Sequence, residues 1–176
     1  APAEWLDLVA LGTVADVVPL DFNNRVLVAQ GLARIRAGRC VPGIRALLEI
    51  ARRDRADLTA SDLGFAIAPR LNAAGRLDDM SIGIRCLLAD REVEARSLAA
   101  RLDQLNVERR AIEGQMQVQA LAAVRHLGPI ATPGARQRSG VCLFDATWHQ
   151  GVVGLVASRI KERLRRPVVA FAHGGD

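Results

Sequence analysis

The sequence predicts an α/β chain that is mostly helical to about residue 90, continues through a long helix over 91–127, and then forms a β-α-β unit. Three observations carry this. Apolar residues recur at helical spacing in the segments that follow Pro19 and Cys40. From about Arg91 to Val124 there is no proline and a long run of good helix formers. Near the end, two short apolar runs, "VCLFDA" and "PVVAFA", flank a glycine-opened segment of helical period, the pattern of a parallel crossover.

Taken in order, "EWLDLVALGTVADVV" is apolar nearly all round, which predicts a buried element that Pro19 ends or redirects. Asp16 lies near its end. An ionised carboxylate buried without a partner costs several kcal/mol, so Asp16 is expected to cap a helix, pair with an arginine or bind a cation. "DFNNRVLVAQGLARIRAG" opens on Asp and Asn cap candidates, carries Val26, Ala29, Leu32, Ala33 and Ile35 at helical spacing, and stops at Gly38. "VPGIRALLEIARRD" predicts another helix, with Ile44, Leu47 and Leu48 inward and Arg45, Arg52 and Arg53 outward. In "LTASDLGFAIAPRLNAAGRLDD", Thr59 or Ser61 can cap a short helix, but Pro69 and Gly75 predict that an arginine-bearing loop follows.

"SIGIRCLL" opens a further helix, and the long one after it shows Leu98, Leu102, Leu105, Ile112 and Met116 in a four-three stripe with Arg109 in its one gap. "GPIATPGARQRSG" is the best candidate for a loop between domains. Within "HQGVVGLVASRIKERLRR", Val153, Val156, Ile160 and Leu164 share one helical face.

Composition narrows the class. The formal charge is +5, and Lys161 is the only lysine among the 24 basic residues, so the cations are arginines suited to bidentate phosphate contacts. A codon bias toward arginine produces the same pattern. Cys40, Cys86 and Cys142 are odd in number, widely spaced and without a CxxC pair, which argues against a disulfide framework or a zinc site and for a reducing, cytoplasmic setting. No apolar run approaches the ~20 residues of a membrane span. The N-terminus has no signal-peptide pattern, and both ends read as cut from something longer.

Three clusters can carry chemistry. Asp16 is the first. In "APRLNAAGR", Arg70 and Arg76 flank Asn72 and offer cationic forks and an amide to a backbone phosphate; alternatively the arginines pair with Asp78 and Asp79. In "TWHQGVVGLVASR", Gly151 and Gly154 expose backbone N–H groups at a helix start where a phosphate is favoured, with His149 and Arg159 as added donors; alternatively the glycines serve close packing. Tyrosine is absent and only Trp5, Trp148 and four phenylalanines are available, which makes a stacking sheet for single strands a poor fit.

At these clusters the chain resembles the RecJ family of single-strand-specific exonucleases, in the DHH phosphoesterase superfamily. "LDLVALGTVADVVPL" resembles the fourth motif of the DHH domain, "GFAIAPRLNAAGRLDD" a segment typical of the family, and "WHQGVVGLVASRIKERLRRPVVAFA" the opening of the DHH-associated domain. The resemblance implies the C-terminal part of a DHH domain over 1–90, a connecting helix over 91–127, and the N-terminal part of a DHH-associated domain over 128–176. It further implies that Asp16 is a catalytic manganese or magnesium ligand whose companion ligands lie upstream. Arg70, Asn72, Arg76, His149, Gly151, Gly154 and Arg159 are then candidates for binding nucleic acid. The implied activity is metal-dependent 5′ to 3′ hydrolysis of single-stranded DNA in repair and recombination, with this segment inactive alone. The alternatives are a related phosphodiesterase acting on short oligonucleotides or dinucleotides, or a non-catalytic binding module.

Overall fold

The computed structural model describes residues 2–126 and 139–174. Two compact units divide the chain, Ala1–Asn106 and Val107–Asp176. The divide falls inside the long helix α7 (Glu92–His126), whereas the sequence pattern places the boundaries near its ends. The expected loop at "GPIATPGARQRSG" lies, up to residue 138, outside the described residues.

The first unit is all helical. After a 3-10 turn come α1 (Leu6–Ala15), α2 (Phe22–Arg36), α3 (Pro42–Ile50), the single turn α4 (Ala60–Asp62), α5 (Ala68–Leu77), α6 (Ser81–Leu88) and the first half of α7. Its core gathers Ile35, Ile44, Leu47, Leu58, Leu63, Ile67, Leu102 and Leu105, all essentially inaccessible to solvent. Asp21 caps α2 by accepting the Asn24 N–H at 2.8 Å, as its sequence position suggests. The buried face of α2 is Val28, Gly31, Leu32 and Ile35, not the Val26, Ala29 and Ala33 side of the helix. Gly31 explains the rotation. A Cβ there would sit 2.1 Å from the Leu6 carbonyl oxygen and 2.4 Å from the Ala10 Cβ, so α1 rests directly on the α2 backbone.

The segment expected as an arginine-bearing loop is helical instead. Thr59 and Asp62 form a reciprocal capping box, a π-helical turn spans Leu63–Ile67, and α5 runs on from Ala68 with Pro69 in its first turn. Pro69 comes just after the π-helical turn, and the run stays helical through it.

In the second unit, β1 (Val141–Phe144) pairs in parallel with β2 (Val168–Phe171), joined by α8 (Val153–Leu164). Val156 and Ile160 of α8 are buried. Trp148 is buried as well, its indole N–H donating to Gln119 of α7 at 2.9 Å. The β1 strand alternates, with Val141 and Leu143 buried but Cys142 and Phe144 exposed, so it is half-buried although its run is apolar throughout. Arg109, the gap in the apolar stripe, is largely covered and pairs with Glu113 one turn along. The layout as a whole is the expected one: helical, then one long helix, then β-α-β.

Candidate functional site

Asp16 sits where α1 stops. Its backbone N–H closes the last helical turn on the Gly12 carbonyl at 3.0 Å. Its side chain is exposed and makes no hydrogen bond or ion pair among the described residues. The expectation of a buried carboxylate in need of a partner therefore fails for Asp16. It holds for Asp7, nearer the start of the same helix, which is 1% exposed.

The chain turns sharply after Asp16. Val17 adopts φ 53°, the left-handed region that a β-branched residue enters only at a cost of about 1–2 kcal/mol. A strained turn therefore presents this unpartnered carboxylate to solvent. Asp16 borders a groove of about 340 Å³ with Leu11 and Ala15 of α1, Asn72 of α5, and Met80 and Ile84 beyond it. Two of the sequence-predicted residues, Asp16 and Asn72, are thus brought together on one concave surface.

Arg70 and Arg76 stand differently. The Arg70 guanidinium is largely covered, donating to Asp103 of α7 at 2.8 Å and to the Ala66 carbonyl of the π-helical turn. Its ion-pair partner is thus Asp103, in place of the Asp78 or Asp79 that the sequence suggests. Asp78 is held instead by Arg101 at 2.7 Å. That pairing, with a further bond from the Asp79 N–H, keeps the Asp78 carboxyl below the usual range. Arg76 is half-buried near the end of α5.

In the second unit the start of α8 is less open than its glycines suggest. The Gly151 N–H donates to the His149 Nδ1 at 3.1 Å, and the Val152 and Val153 N–H groups donate to the His149 carbonyl at 3.0 and 3.2 Å. Of the two glycine N–H donors expected for a phosphate, that of Gly151 is bonded inside the turn. With Nδ1 accepting, a neutral His149 ring carries its proton on Nε2. Gly154 is exposed, and a Cβ there would meet nothing within 4 Å, so close packing does not account for it. Arg159 is not at the helix start: it lies ~9 Å further along α8 and pairs with Glu113 at 3.4 Å and Glu162 at 3.7 Å.

Among the described residues no three His, Cys, Asp or Glu side chains converge on a metal position. A free, exposed carboxylate fits the part of one ligand contributed to a divalent site. It does not make a site by itself. Sequence reasoning missed Met80 as a wall of the groove and Asp7 as the buried acid; Met80 carries no local signal, whereas Asp7 lies in the same apolar run as Asp16 and could have been found by the same argument. No helix among the described residues is long and apolar enough to cross a membrane.

No family model matches the chain. It is 62% identical over 178 residues to the single-stranded-DNA-specific exonuclease RecJ of Dickeya dadantii, a match that covers 99% of this chain and 30% of that protein. The Escherichia coli K12 protein of the same name is 61% identical over 176 residues, with 99% and 30% covered. The chain thus spans about 30% of the length of these curated relatives. Among solved structures, RecJ from Thermus thermophilus in complex with Mg2+ superposes with a TM-score of 0.82 at 40% identity, covering 97% of this chain and 26% of the other. Exonuclease RecJ bound to manganese gives 0.82 at 41%, covering 98% and 41%. High identity along nearly the whole of these 176 residues, with the same backbone, places the chain in the RecJ family.

Proposed function

We propose that this chain is part of a divalent-metal-dependent exonuclease that hydrolyses single-stranded DNA from the 5′ end and acts in cytoplasmic DNA repair and recombination. The observation that carries the reading is the Asp16 carboxylate, exposed, unpartnered among the described residues and held at a strained helix end beside Asn72. Support comes from relatives named as single-stranded-DNA-specific exonucleases and from related structures that hold Mg2+ or manganese. On the same reading, 1–90 is the C-terminal part of a DHH domain, 91–127 a connector and 128–176 the start of a DHH-associated domain.

Each group has a physical task. Asp16 supplies one hard oxygen ligand to a Mn2+ or Mg2+ site that residues outside this chain complete. Such a cation, when bound, lowers the pKa of a coordinated water and offsets charge on the phosphodiester. Asn72, with donor and acceptor on one amide, steadies a phosphate or sugar of the strand at the groove beside Asp16. Arg76 adds a cation on the same helix, and the His149 Nε2 proton and the open Gly154 backbone offer donors in the second unit. Arg70 and Arg159 act by holding α5 against α7 and α8 against α7.

The test is a chimera in which these 176 residues replace the matching span of the Escherichia coli relative. The chimera is expected to release nucleotides from the 5′ end of single-stranded DNA with Mn2+ or Mg2+, and Asp16→Ala to abolish release while leaving DNA binding in place. Near-normal metal-dependent cleavage by Asp16→Ala removes the ligand role. Cleavage confined to dinucleotides or short oligonucleotides replaces the polymer substrate with the smaller one.

A further inference from the structure

The most deeply buried carboxylate of the described residues is Asp7, in the first turn of α1, nine residues before Asp16. Its Oδ2 accepts the Val41 N–H at 2.8 Å. Val41 is the N-cap residue of α3, with Pro42 directly after it, so the bond ties the start of α1 to the turn between α2 and α3. Its Oδ1 is buried without a partner among the described residues. An unpaired buried oxygen of this kind costs about 1–3 kcal/mol, and an apolar side chain there would shift the loss to the Val41 N–H.

What the carboxylate contributes is a fixed position. Gly31 of α2 sets how closely α1 approaches, through its contact with Leu6 and Ala10, but a backbone surface alone leaves a helix free to slide and turn along it. Asp7 restricts that freedom together with the buried Ala10 and Leu11, because its bond to the Val41 N–H forms in one register of α1 only. From Asp7 to Asp16 the helix is a rod of ~13 Å in which each residue of slip rotates the far end by about 100°. A slip of one residue would carry Asp16 away from the groove it borders with Asn72.

We infer that Asp7 is a positioning residue for Asp16: its bond to the Val41 N–H helps hold α1 in the register that places Asp16 at the edge of the groove it borders with Asn72. The inference rests on the proposed role of Asp16 as a metal ligand.

Three variants test it. Asp7→Asn keeps an oxygen for the Val41 N–H, Asp7→Leu removes it at similar size, and Val41→Pro removes the donor at a residue whose φ of −60° already suits proline. In the 176-residue chain, hydrogen exchange is read at the N–H groups of Asp16 and Val18, which close the end of α1 on Gly12 and Thr13. In the chimera, kcat, KM for single-stranded DNA and the Mn2+ concentration for half activation are read. Asp7→Leu and Val41→Pro are expected to speed exchange at Asp16 and Val18, to lower kcat by about tenfold to a hundredfold, and to raise the Mn2+ requirement. KM should stay within about twofold, and Asp7→Asn should restore wild-type behaviour. The positioning role is overturned if a folded Asp7→Leu or Val41→Pro protein matches Asp7→Asn in exchange and Mn2+ requirement. If Asp7→Leu does not fold, Val41→Pro decides by the same two readings, and loss of folding in both, with Asp7→Asn intact, assigns Asp7 to overall stability and also overturns it. Activity retained by Asp16→Ala defeats the ligand reading instead, a result separate from any of these.

Discussion

Asp16, at the end of α1, and Asn72, on the exposed side of α5, border the same groove although 56 positions separate them in sequence. One is an anion without a partner among the described residues and the other a neutral amide, which gives them separable effects on metal and on DNA. Replacing Asn72 with Ala in the chimera is expected to weaken single-stranded DNA binding about threefold to tenfold, the value of one hydrogen bond. The Mn2+ requirement and the salt dependence of binding should not change, since no charge is lost. Titration of a labelled oligonucleotide at several salt concentrations checks this, and a flattened salt slope would contradict it.

Two glycine exchanges are expected to act in opposite directions. Val17→Gly relieves the left-handed strain after Asp16 but adds freedom to the unfolded chain, so its net effect on stability should fall between about 0 and +1 kcal/mol. Gly31→Ala forces a Cβ against the Leu6 carbonyl and should cost more than about 2 kcal/mol. Thermal denaturation of the two proteins side by side measures the contrast.

Arg70→Ala is expected to behave as a stability mutant. It removes a largely covered guanidinium from Asp103 and from the Ala66 carbonyl, at a cost of about 1.5–3 kcal/mol. Arg70→Lys should recover little, because a point charge cannot span both acceptors. A lowered melting temperature with an unchanged salt slope for DNA binding agrees with this; a reduced slope at unchanged stability would return Arg70 to the DNA.

The Thr59 and Asp62 capping box makes a prediction about acid. Hydrogen bonds from the Thr59 hydroxyl and N–H hold the Asp62 carboxyl below its usual range. A depressed carboxyl contributes stability that is fully present above its unfolded value, near pH 4, and is lost as pH falls through the lower folded value. Thr59→Ala should therefore cost about 1 kcal/mol at pH 7 and distinctly less near pH 2, as denaturant melts at the two pH values will report.

By itself the sequence determined the order and kind of most elements, because that information is local. Asp21 and Thr59 act as caps, Gly38 ends α2 at φ 76°, the proline-free run becomes α7, and two apolar strands flank a glycine-opened helix, each readable from a few neighbouring residues. The three motifs likewise point to the RecJ family on their residues alone. Contacts between distant segments had no such signature. That Pro69 sits inside a helical run depended on a π-helical turn braced by Arg70 and Asp103, 33 positions apart. Which face of α2 is buried depended on Gly31 meeting α1. The tertiary structure also decided that Asp7 and not Asp16 is the buried acid, since burial is set by what packs around a side chain, and a run of apolar neighbours in sequence does not say which of its residues will face solvent.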